Sequence, residues 1–156
     1  MLCGTKQNQN WRMLFMAKIK MTVLYKGKAG NASEMAEAVG RSQQAKIDQI
    51  PPAYNMENQK LVVVCVEGGK KADSDVMKFI SNLNPSRVKN MAIICIGAEF
   101  GCVDEMKASA EKLGVVVGNI KQVEIKGGLF KKGKLEDAQK TECVDWVAKI
   151  VDSLLS

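Results

Sequence analysis

Residues 19–39 read IKMTVLYKGKAGNASEMAEAV, and three signals follow one another in that stretch. The apolar run 19–25 is a strand. Lys26, Gly27, Lys28, Ala29 and Gly30 make a small-residue turn. Asn31-Ala32-Ser33-Glu34 then opens a helix, with Asn31 expected as the N-cap and Glu34 completing a capping box. A strand that turns through glycine into a helix aims free backbone N–H groups at one point, and the helix dipole adds positive potential there. The turn is thus either an anion cradle suited to a phosphate or an ordinary strand-to-helix connection whose glycines only relieve sterics. No Gly-Lys-Ser/Thr follows it, so it is not a Walker A loop.

Downstream, the same alternation repeats. A short strand is expected over 45–50, stopped by Pro51-Pro52. LVVVCV at 61–66 is apolar without interruption, which predicts a central parallel strand buried on both faces. A loop, 67–73, leads to a helix capped by Asp73 and running to Leu83. MAIICI at 91–96 is a second fully apolar strand, followed by the loop 97–102 and a helix from 104 to 113 closed by Gly114. Residues 115–117 either pair or only pack. The last strand is expected at 121–126, and a final helix ends at 154. Five strands alternating with helices call for an α/β fold, a doubly wound parallel sheet with helices on both faces.

The chain has 156 residues, enough for one domain with a full core. It is 46% hydrophobic and 26% charged, as expected of a soluble globular protein. Residues 1–16 differ in character and are expected to be an appended or disordered leader before a domain at 17–156. Their apolar patch, which includes Trp11 and Phe15, is too short for a signal-peptide core or a membrane span. Histidine is absent, which removes Ser-His-Asp and Cys-His catalysis and most metal sites. The five cysteines include no CxxC, so neither a zinc site nor a disulfide framework is indicated, and a reducing cytoplasm fits. A net charge of +6 favours acidic partners. The lysines are scattered without an Arg or aromatic stripe, so no specific nucleic-acid surface is read.

The opening unit resembles that of flavodoxins, in which a strand ending in Tyr runs into a hydroxyl-rich loop, then Gly-Asn-Thr and a helix with Ala-Glu-Ala. Tyr25, Gly30, Asn31 and Ala36-Glu37-Ala38 carry the likeness, whereas the usual hydroxyl positions read Lys26, Gly27, Ala29 and Ala32. Gly68-Gly69-Lys70-Lys71-Ala72-Asp73 is similar to the family's Lys-Gly-Thr-Ala-Asp segment. Gly97-Ala98 is similar to its Gly-Ala-Tyr loop, and Ile125-Lys126-Gly127 to its last strand end. The resemblance covers residues 19–156. It implies strand order 2-1-3-4-5, with a crevice at the carboxyl ends of strands one and three.

It also implies a cofactor, FMN. Backbone N–H groups of Gly27, Lys28, Ala29, Gly30, Asn31 and Ala32 would hold its phosphate, with Lys26 or Lys28 assisting. Glu67, Gly68 and Gly69 would lie on one side of the isoalloxazine ring. Gly97, Ala98, Glu99, Phe100 and Gly101 would lie on the other, with Phe100 the one candidate stacker. Glu67 would lower the reduction potential, or is simply a solvent-facing carboxylate. Cys102 is a reactive loop thiol or a half-buried spectator. The expected function is FMN-binding electron transfer with a redox partner protein, as a monomer or weak dimer and more a carrier than an enzyme. The alternative is a flavodoxin-like fold that has lost FMN and acts as a binding or interaction module.

Overall fold

The computed structural model describes residues 18–126 and 133–155. The leader 1–16, the domain boundary after it and the loop 127–130 lie outside those residues. Among the described residues five strands and four helices follow one another, alternating except where the second strand leads directly to the third. They are β1 (Met21–Tyr25), α1 (Asn31–Gln43), β2 (Lys46–Gln49), β3 (Gln59–Glu67), α2 (Ser74–Ser81), β4 (Val88–Gly97), α3 (Cys102–Lys112), β5 (Val116–Glu124) and α4 (Asp137–Leu155). All pairings are parallel and the strand order is β2-β1-β3-β4-β5, the flavodoxin-like order.

The side-chain period of two sorts the central strands into two cores. Val23, Leu61, Val63, Cys65, Ala92 and Ile94 face α1 and α4. Leu24, Val62, Val64, Val66, Ile93 and Cys95 face α2 and α3. This is why 61–66 and 91–96 are apolar at every position: neither face of those strands meets water. Both edge strands, β2 and β5, consist mostly of exposed and half-buried residues instead.

One expectation is corrected. The tripeptide 115–117 and the run 121–126 fall largely on a single strand, β5 (Val116–Glu124). Between the pairs Val116↔Asn90 and Asn119↔Ala92, β5 advances three residues while β4 advances two. The extra residue is a bulge beside Gly118, and it breaks the alternation that the run would otherwise show. In α1 the buried face is Ala32, Met35, Ala36, Val39 and Gly40, and Ser42 is exposed. A Cβ on Gly40 would come within 2.2 Å of the Ile47 side chain, so α1 packs closely on β2 there.

Ile94, fully buried in β4, should lose about 2–5 kcal/mol of stability on substitution by Ala, read as a lower urea midpoint at unchanged slope. Val116→Ala, at a 57% exposed position on the edge strand, should change stability by less than about 0.5 kcal/mol.

Candidate functional site

The parallel register brings the carboxyl ends of β1, β3 and β4 side by side, with Tyr25 beside Cys65 and Glu67 beside Ile96. The three expected loops therefore meet: 26–30 after β1, 68–73 after β3 and 98–101 after β4.

The first loop keeps its shape through backbone contacts. Lys26 N donates to Cys65 O at 3.2 Å, and the Gln49 amide donates to Gly27 O at 2.6 Å. Gly27 has φ +109°, a conformation that a side chain would disfavour. The helix cap is not the one expected. Gly30, not Asn31, precedes the first helical residue. The Ser33 hydroxyl accepts from Gly30 N and donates to Gly30 O, both at 2.9 Å. Asn31 reaches across the fold instead, donating to Gly133 O at 3.0 Å and accepting from Leu135 N at 3.1 Å. It ties the opening turn to the segment before α4. Nothing local in the sequence signals a bond spanning over a hundred residues.

An open depression of about 660 Å³ lies against this turn, lined by residues 26–34 with Glu37, Glu67, Gly133 and Lys134. Its charges are mixed. The Lys26 ammonium donates to Asp75 at 2.7 Å, in the first turn of α2. That hydrogen bond raises the Lys26 pKa against partial desolvation, and it lowers the Asp75 pKa. Lys26 thus turns its ammonium to α2 while still lining the depression. Glu34 pairs with Lys140 at 3.5 Å. A carboxylate oxygen of Glu67 lies 3.5 Å from where a Cβ on Gly30 would stand. Gly30 N is taken by Ser33, and the depression around the turn holds Lys28 and Lys134 as well as carboxylates.

The second and third loops lie directly on each other. Gly68 N donates to Ile96 O at 2.7 Å, and Cys102 N donates to Gly69 O at 2.9 Å. A Cβ on Gly68 would stand 2.1 Å from Glu99 O, and one on Gly101 would stand 2.9 Å from Lys70 O. Glycine is required at 68 because backbone occupies the space of a side chain. A flat ring held between two walls needs them roughly 7 Å apart, two van der Waals contacts. Gly68, Gly69, Gly97, Ala98, Glu99 and Gly101 are brought together as expected, yet they form a seam that leaves no slot for the flavin ring. Phe100, the candidate stacker, packs against the core under α2 and α3. The residues fit the phosphate end of FMN in part and do not fit its ring.

Beside the seam, a smaller cavity of about 180 Å³ is lined by Lys26, Gly27, Val66, Glu67, Ala72, Asp73, Val76, Cys102 and Met106. Asp73 caps α2 as expected, accepting from Asp75 N and Val76 N. Among the described residues no group of three or more Cys, Asp or Glu is placed to hold a metal, and no helix is long and apolar enough to cross a membrane. Comparison with known proteins returns no matching family model and no matching curated relative.

The seam predicts a contrast between neighbours. Gly68→Ala should cost about 1–3 kcal/mol by forcing backbone apart. Gly69→Ala, whose Cβ would meet its nearest atom at an ordinary 3.6 Å, should be close to neutral. Thermal midpoints of the two variants check this. The Lys26–Asp75 pair gives a pH signature. Asp75's folded pKa is depressed, so its contribution is present above the ordinary Asp value of about 3.9 and is lost as pH falls through the depressed one. Lys26's folded pKa is raised, so its contribution is present below about 10.4 and is lost as pH rises through the raised value. The Tm difference between wild type and Asp75→Asn should persist across neutral pH and shrink at both extremes.

Proposed function

We propose that this chain is a flavodoxin-like binding module that works without a flavin. The observation that carries this reading is the seam, where Gly68 meets Glu99 O and Cys102 N bonds Gly69 O. Phe100 turned to the core and the missing loop hydroxyls support it further. The module keeps a crevice at the carboxyl edge of the sheet and engages its partner through the loops there. Its net charge of +6 favours an acidic partner.

A second reading keeps FMN and electron transfer to a redox partner protein in the cytoplasm. The depression of about 660 Å³ beside the Gly27–Gly30 turn favours it. When bound, FMN would supply the redox chemistry, and Gly27, Lys28, Ala29, Asn31 and Ala32 would hold its phosphate through backbone N–H groups, Gly30 N being taken by Ser33. On this reading the seam must part to admit the ring.

Colour and titration separate the two. On the first reading, the purified protein is colourless. Adding FMN to about 100 µM leaves flavin and tryptophan fluorescence unquenched, which corresponds to binding weaker than about 5.5 kcal/mol. A yellow protein, or saturable quenching at low micromolar FMN, would establish the electron carrier instead.

A further inference from the structure

Two thiols beneath the seam are used by neither reading. Cys95, near the end of β4, and Cys102, the first residue of α3, face each other with Sγ atoms 3.7 Å apart. Both are buried. Six residues separate them, and these form the end of β4 and the whole third loop. The two sulfurs differ in access. Cys102 lines the 180 Å³ cavity, whose other walls include the exposed residues Glu67 and Asp73. Cys95 lies deeper, 3.5 Å from where a Cβ on Gly68 would be.

We propose that Cys95 and Cys102 form a dithiol modification site, which a small peroxide entering by the cavity oxidises to a disulfide. The cavity-lining thiol reacts first. Cys102, as its thiolate, attacks one oxygen of hydrogen peroxide. The O–O bond breaks, hydroxide leaves, and Cys102 carries a sulfenic acid. Cys95 Sγ then attacks that sulfur. The new S–S bond displaces hydroxide, which takes the Cys95 proton and leaves as water. The sum is two thiols and one peroxide giving one disulfide and two waters. The sulfurs must close from 3.7 Å to about 2.05 Å, a movement between groups already in contact. Burial and the neighbouring Cys102 sulfur push the Cys95 thiol up to about 12, which keeps it a neutral thiol until an electrophilic sulfur is formed beside it. The other two described cysteines, Cys65 and Cys143, lie in the core on the opposite face of the sheet. The product would staple the end of β4 to the first turn of α3 and lock the third loop against the second.

The test treats the native full-length protein with a modest excess of hydrogen peroxide, quenches it, denatures it with a thiol-alkylating reagent and maps the peptides. The expected product is two hydrogens lighter, contains a peptide linked through Cys95 and Cys102, leaves Cys3, Cys65 and Cys143 alkylated, and reverts with dithiothreitol. In Cys95→Ala the Cys102 sulfenic acid should persist and be trapped by dimedone. Complete alkylation of both residues after peroxide treatment would overturn the assignment. So would over-oxidation of Cys102 without a link, or a link through a different cysteine. The wild-type map decides the matter even where the variant fails to fold.

Discussion

Burial of β1, β3 and β4 on both faces is the constraint from which the rest of this structure follows. A strand with one wet face can slip by two residues at modest cost. A strand packed against helices on each side has no such freedom, because any shift moves close-packed side chains past those of two cores. Val63 and Ile94 belong to one core, and Val64 and Ile93 to the other. That two-sided packing fixes where each strand stops. Tyr25, Glu67 and Gly97 therefore end up along one edge, and every loop that meets there is delivered by the register of the strands behind it.

The loops at that edge share one space, and backbone takes most of it. Gly68 and Gly101 let main chain from the third and second loops come as close as a side chain would. The same glycines read, in sequence, as loops open enough to flank a planar ligand. Glycine permits either outcome, since lacking a Cβ serves close approach to another backbone as well as to a ring. Here the hydrogen bond from Cys102 N to Gly69 O joins the two loops directly.

That ambiguity marks the limit of what the sequence made legible. The elements were readable because uninterrupted apolar runs at 61–66 and 91–96 have few other solutions in a chain of this size. Asp73 as a cap was readable because the cap bond is local. Strand β5 was split because its bulge near Gly118 disturbs the period that identifies strands. Asn31 was misassigned as a cap because its partners, Gly133 and Leu135, are remote in sequence, while Ser33 closes the turn through Gly30. The pairing of Lys26 with Asp75 was likewise invisible, since it depends on β1 and α2 being neighbours in space. Local chemistry was legible, and long-range side-chain commitments were not.

Those commitments bear on what the first turn can attract. A helix N-terminus offers roughly half a positive charge, worth about 0.3–1 kcal/mol to an exposed anion. Lysines would have to supply the rest. Lys26 pairs with Asp75 and Lys140 with Glu34, both in partly exposed contacts. Glu67 places a carboxylate oxygen beside Gly30, and Lys28 and Lys134 line the same depression. An incoming phosphate would meet backbone dipoles, lysines and carboxylates together, so the field at the turn is of mixed sign. The turn thus has the shape of an anion site set in a field of mixed sign, and charge at the helix end alone does not select a ligand there.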